Sequence, residues 1–231
     1  MMKKFQINLF DFSHFRCELM GVATLFIVLC HTTKYNLPMP NWLYTLFGNG
    51  GAGVDMFLFL SGMGIFNSYG KRKTNLVPLY KWFWRRYLRI IVPCAFYIVS
   101  IVLYQYLQSY FDYLNVSDVL LNLSGCGFLF GKGSLWFVTC ILILYVLTPL
   151  FHNLLDGKNR YMYALLLSLM SLMFGYIHFT DAELICKLQF MLCRFPCYFI
   201  GYVMGSEINA KKSISIGYLV SKYSVNSVLC A

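Results

Sequence analysis

Six apolar runs of bilayer length dominate this sequence and leave few folds open to it. They can be drawn at 18–35, 52–69, 90–110, 134–152, 161–178 and 188–205. Each holds about 18–21 residues, the length that crosses a hydrocarbon core. The runs are continuously apolar rather than alternating, so they read as helices and not as barrel strands. The expected fold is an all-α, polytopic membrane helix bundle with about six transmembrane helices. Composition agrees: 59% of residues are hydrophobic and only 12% are charged, about half the charge of an ordinary soluble domain.

Positive charge orients the bundle. Seven Lys and Arg fall within residues 71–89, KRKTNLVPLYKWFWRRYLR, between the second and third runs. A loop this basic beside a membrane span marks the cytoplasmic side. With the N-terminus inside, fifteen Lys and Arg lie in inside segments and four outside, at Lys34, Lys132, Lys187 and Arg194. The N-terminus is therefore expected to be cytoplasmic. A net charge of +10 would suggest nucleic acid in a soluble protein. Here the charge sits in inside loops, where anionic lipid is its natural partner.

Residues 1–17 form a mixed polar N-terminal segment without the pattern of a cleaved signal. Residues 18–205 form one membrane domain. Residues 206–231 read as a polar tail, SEINAKKSISIGYLVSKYSVNSVLCA, where another hairpin would begin. The longest outside loop, 111–133, is semi-apolar and Gly-rich and is expected to fold back along the membrane surface. Its sequons at Asn115 and Asn122 carry little weight. The second run is rich in small residues, and Gly53, Ser61, Gly62 and Gly64 would let helices approach closely. Nine scattered cysteines show no metal spacing, so neither a structural disulfide nor a metal is expected.

Ionisable residues inside a membrane are costly unless they have a partner or a task. His31 ends the first run and Asp55 begins the second, and a hairpin would bring these ends to one leaflet. A carboxylate beside an imidazole suits a general base. The residues alone equally allow a helix-terminal His31 and an Asp55 favoured by the dipole of its own helix. Arg16 and Glu18 mark the inner end of the first run. Arg16 lies about 22 Å from His31 along a helix, so the two could serve opposite ends of one path. Arg86-x-x-Arg89 offers two guanidinium groups for a phosphate-bearing ligand, in a setting of Tyr80, Trp82 and Trp84 that any membrane anchor also shows. Trp136 is either a cavity wall or a belt aromatic. His14, His152 and His178 are lone residues near run ends and suggest no role.

Together these segments resemble the acyltransferase-3 family of integral membrane O-acyltransferases. The likeness lies in ELMGVATLFIVLCH (18–31), GGAGVDMFLFLSGMGIF (50–66), YKWFWRRYLRIIVP (80–93), SLWFVTCILILYVLTPL (134–150) and RFPCYFIGYVMG (194–205), in that order. The resemblance implies transfer of an acyl group, commonly acetyl, from acyl-CoA to a hydroxyl of a cell-surface carbohydrate or related molecule. It implies a catalytic role for His31, a supporting one for Asp55, and donor binding by Arg86 and Arg89. No permanently bound cofactor is implied; acyl-CoA is a substrate. The partners implied are a glycan or lipid-linked glycan acceptor and the bilayer, and the location a bacterial cytoplasmic membrane.

This sequence departs from the family pattern in two ways. The basic residue usual eleven positions before the histidine is Met20 here, and Arg16, one turn inward on roughly the same face, is the expected substitute on the donor side. The family commonly has about ten spans against six here, so helices that close the bundle are expected to be missing. A transporter or flippase-like component, or an inactive acyltransferase fragment, would explain the spans and charge bias equally well. Neither would need His31 and Arg86-x-x-Arg89 together.

Overall fold

A computed structural model describes residues 6–7, 13–33, 38–107, 116–131, 135–177, 182–209 and 214–215. His178, Asn115, Lys34, Lys132 and most of the polar tail lie outside the described residues. The described chain is helical apart from one two-residue pairing. In order it runs β1 (Gln6–Ile7), α1 (Arg16–Thr32), α2 (Asn41–Gly48), a 3₁₀ turn (Asn49–Gly51), α3 (Ala52–Thr74), α4 (Leu79–Leu107), α5 (Val116–Leu123), α6 (Trp136–Leu155), α7 (Arg160–Tyr176), α8 (Glu183–Leu192), α9 (Phe195–Asn209) and β2 (Ile214–Ser215). Two compact units result: residues 1–67 with 200–231, and residues 68–199.

Three segments are long and apolar enough to cross a membrane: Leu79–Tyr104, Trp136–Leu155 and Glu183–Ile208. They coincide with the third, fourth and sixth expected spans. The first and fifth are the 17-residue helices α1 and α7, at the short end of spanning length. The second is α3, which carries Asp55 at one end and Lys71, Arg72 and Lys73 at the other.

In the first unit, small residues set the packing. A Cβ on Gly50 would strike the Phe26 carbonyl and Cys30, one on Gly53 would strike the Ala23 carbonyl, and one on Gly64 the Arg16 guanidinium. These pairs fix α1 and α3 as an antiparallel hairpin whose backbones nearly touch at their outer ends. On α9, Gly201 lies against the Phe59 backbone and Gly205 against Met63, a parallel register. Leu60, Met63 and Ile208 form a buried cluster with Leu19, Met20, Phe59 and Met204 around it. The expectation of close approach at Gly53 and Gly64 therefore holds, and Gly201 and Gly205 complete it. Helix α9 continues through Asn209, so the expected boundary at residue 205 cuts a helix. Beyond it β2 pairs antiparallel with β1, Gln6 opposite Ser215 and Ile7 opposite Ile214.

In the second unit, α4 and α6 are antiparallel. Trp82 meets Tyr145 with ring centroids 6.4 Å apart, and further along α4 Ile91 approaches the turn that also meets Val138 and Leu142. The core holds Trp82, Ile141, Leu144, Tyr145 and Tyr198. The buried hydroxyls of Thr148 and Tyr198 are hydrogen-bonded at 3.0 Å. Gln189, from α8, donates to the carbonyls of Phe174 (3.1 Å) and Ile177, satisfying acceptors that the end of α7 leaves open.

Three boundaries differ from the sequence reading. The basic segment 71–89 is mostly helix: α3 runs to Thr74, and α4 starts at Leu79, after Pro78. Lys and Arg are good helix formers, and Pro suits the edge of a helix start. Only Leu76, with φ of 50°, turns the chain sharply here. The sixth span is broken at Cys193–Arg194 because Pro196 has no N–H for the carbonyl four residues back.

The third difference is the long loop. Tyr87 donates a hydrogen bond to the Leu123 carbonyl at 3.4 Å, and Thr139 Oγ1 donates to the Gly125 carbonyl at 2.6 Å. A Cβ on Gly125, itself at φ +81°, would meet Leu142, Val138 and Ile91. Sixteen residues after α4 ends at Leu107, the chain is thus back beside Tyr87, about 30 Å down the helix axis. Residues 116–131 are a re-entrant segment along the middle of α4, not a strip on the membrane surface. Non-helical backbone at such depth needs protein cover. The buried Gly125 and Gly127 and the Thr139 hydroxyl supply it.

Candidate functional site

His31 lies in the last turn of α1 and is exposed. The neighbouring Cys30 directs its thiol at the Gly48 carbonyl, 3.8 Å away, so His31 sits by the C-terminal end of α2. That short helix displays Trp42 and Tyr44, as interfacial helices do. It is a neighbour of His31 that the sequence reading did not supply. Asp55 is half-buried in the first turn of α3, where the helix dipole favours an anion.

The hairpin register separates these two residues. Gly50 faces Phe26 and Cys30, Gly53 faces Ala23, and Gly64 faces Arg16. Asp55 is therefore level with the turn of α1 near Ala23, about seven residues or ~10 Å short of His31 along the axis. They share one end of the hairpin but not one hydrogen bond. A carboxylate at that spacing acts on the imidazole through its field and not by fixing a tautomer.

Arg16 is half-buried at the start of α1, its guanidinium laid against Gly64 of α3. One residue either side of that level, Met63 and Phe66 meet Gly205, two residues before Glu207. Glu207 is only 4% exposed, the most buried carboxylate described. Its place in the polar tail hid it in the sequence, where SE followed by Lys-rich chain looked solvated. Arg16 and Glu207 thus belong to the same layer of the first unit.

Arg86 and Arg89 stand on the second and third turns of α4. The Arg86 guanidinium is 6.0 Å from the centre of the Trp82 ring, and Arg89 is exposed. Trp82 is the hub of a cluster in the second unit. Its ring meets Tyr69 edge-on at 5.2 Å, and its indole N–H donates to Ser68 Oγ at 2.9 Å. Tyr69 carries Arg72 over its face at 5.0 Å, and its ring lies 4.7 Å from that of His152. Lys73 donates to Asn153 Oδ1 at 3.4 Å. His152 Nε2 is 3.6 Å from Asp156. Three cations, Arg72, Lys73 and Arg86, therefore surround a rigid pair of aromatic rings.

Sequence reasoning singled out Arg86 and Arg89 and passed over His152, Tyr69, Arg72 and Lys73. The signal was present. His152 and Asp156 are four residues apart, one helical turn, and Arg72 and Lys73 were counted for orientation only. Trp136 packs on Phe190 at 4.8 Å, a packing role and not a cavity wall.

A helical chain with bilayer-length apolar segments and arginines set among interfacial aromatics is a membrane protein. A family model described as an acyltransferase domain, acyltransferase-3, matches residues 19–224. The chain belongs to that family of membrane acyltransferases. Comparison with curated proteins and with solved structures gave no match. The matched region includes His31, Asp55, Arg86 and Arg89; Arg16 precedes it.

Proposed function

We infer that this protein is an O-acyltransferase of the bacterial cytoplasmic membrane. It moves an acyl group, in the first instance acetyl, from acyl-CoA to a hydroxyl of a cell-surface glycan or lipid-linked glycan. The observation that carries the reading is the family match through residues 19–224, joined to the cationic cluster around Tyr69 and Trp82. Six spans with a cytoplasmic N-terminus belong to the same proposal. The charge bias of fifteen against four supports it.

Arg86 and Arg89 bind the phosphates of the donor, aided by Arg72 and Lys73. Guanidinium groups recognise phosphate in a fork geometry and hold it where water is scarce. His31 takes the proton of the acceptor hydroxyl as that oxygen attacks the thioester carbonyl. The C–S bond breaks, CoA leaves as the thiolate, and the proton on His31 passes to that sulfur. Alternatively, His31 carries the acyl group between the two substrates. Asp55 stabilises the imidazolium form through space. Arg16 packs against Gly64, and its charge serves the donor end of the first helix.

The test is acyl transfer from radiolabelled acetyl-CoA to membrane glycan, with the full chain reconstituted in vesicles. Incorporation above vesicles lacking the protein is expected. No incorporation with acetyl-, butyryl- or palmitoyl-CoA would overturn the enzymatic reading of this chain.

A further inference from the structure

The second unit holds a groove that the transfer reaction does not use. Helix α4 contributes Tyr80, Trp84 and Tyr87, and α6 contributes Leu142, Tyr145 and Val146. Its volume is about 590 Å³ and its walls are almost wholly apolar. Both helices are apolar enough to cross a bilayer, so the groove opens to lipid and not to water. It lies on the face of α4 turned away from Arg89.

The two ends of the groove differ. At the deep end Tyr87 bonds the Leu123 carbonyl, and Leu142 is the side chain that a Cβ on Gly125 would strike. The re-entrant turn therefore closes that end. At the other end Tyr80 opens α4, with the Lys81 ammonium 6.0 Å from its ring centre. Arg85 follows one turn on and is exposed. Trp84 stacks on Tyr87 at 5.8 Å and is itself 59% exposed.

We propose that this groove is a binding site for an anionic phospholipid, one acyl chain filling it and the phosphate resting between Lys81 and Arg85. The closed end decides the class of occupant. A transmembrane helix, about 10 Å across with its side chains, would have to run through the re-entrant turn. A flexible chain enters from one side and stops there. The volume falls in the range of small-ligand sites, about 300–1,000 Å³. The two cations beside headgroup-level aromatics select negative charge, and their long stems reach the phosphate plane.

The full chain, purified in mild detergent, is mixed with phosphatidylglycerol and phosphatidylcholine of equal chain length and read by native mass spectrometry. One retained phosphatidylglycerol per chain is expected, in preference to phosphatidylcholine. Val146→Trp fills the groove, and because Val146 is 64% exposed the larger ring enters without overpacking a core. It should lower the phosphatidylglycerol-bound fraction at least about fivefold, with helicity and thermal midpoint unchanged. Lys81→Gln with Arg85→Gln, both exposed, should abolish the preference for phosphatidylglycerol and retain some lipid. Equal retention of both lipids, insensitive to these substitutions, would reduce the groove to ordinary annular contact. Displacement of the lipid mole for mole by palmitoyl-CoA would give the groove to an acyl donor instead, and either result overturns the proposal.

Discussion

The guanidinium of Arg16 lies directly against Gly64, so tightly that any side chain at residue 64 would occupy its place. Arg16 is the far end of a flexible side chain and can shift. Gly201 is different: a Cβ there would run into the backbone of Phe59, which cannot move without parting α3 from α9. Overpacking of this kind costs about 1–3 kcal/mol. Gly201→Ala should therefore lower the thermal midpoint in detergent clearly more than Gly64→Ala. Arg16→Ala should relieve Gly64→Ala and leave Gly201→Ala unrelieved, a coupling that a double-mutant cycle measures. Equal losses at the two glycines would mean that α1 and α9 pack on α3 equally loosely.

The re-entrant segment gives a depth prediction. Leu120 of α5 is 61% exposed and lies in the segment that returns to the level of Tyr87. A spin label at Leu120→Cys should be relaxed by oxygen, which concentrates in lipid, and hardly by a water-soluble nickel chelate. A label on a surface loop would show the reverse. Orientation is read in the same background. Leu76→Cys, 88% exposed in the turn before α4, should resist an impermeant reagent added outside intact cells. Ala182→Cys, exposed before α8, should react with it.

Continuous apolarity and charge bias were enough to read helices at all six runs, since both follow directly from bilayer solvation. The glycines of the second run announced close packing, and Gly53 and Gly64 supply it. What stayed hidden depends on partners distant in sequence. Residues 116–131 are semi-apolar, and nothing local separates a surface strip from a segment buried against Tyr87 and Leu142. Pro196 was visible, but a continuously apolar run outweighed it. His31 and Asp55 share an end of a hairpin, as their places in sequence implied; their separation along the axis comes from register, which the glycines set. His152 looked solitary until the fold brought Tyr69 to it.

Donor binding should be sensitive to the shape of the cation and not only its charge. Arg86→Lys keeps the charge and loses the fork, so acyl-CoA affinity should fall about tenfold. Arg89→Lys should fall similarly. Arg72→Gln should weaken binding less, because Arg72 is partly engaged with the Tyr69 ring and with the Val77 carbonyl at 3.1 Å. Isothermal titration with a non-hydrolysable acyl-CoA analogue measures all three. Unchanged affinity in both Lys variants would make Arg86 and Arg89 interfacial anchors.

His31 provides the sharpest test of the chemistry. It is exposed at the end of α1, so His31→Ala should leave folding and insertion intact, with a thermal midpoint within a degree or two of wild type. Loss of a general base removes about 10²–10⁴-fold in rate, and transfer should fall by that amount. Asp55→Asn should cost far less, about fivefold, because the register leaves ~10 Å between carboxylate and imidazole and only a screened charge effect is lost. A loss at Asp55 as deep as that at His31 would require the two to meet in a closed form of the hairpin. Full activity in a folded His31→Ala protein would remove the histidine from the reaction.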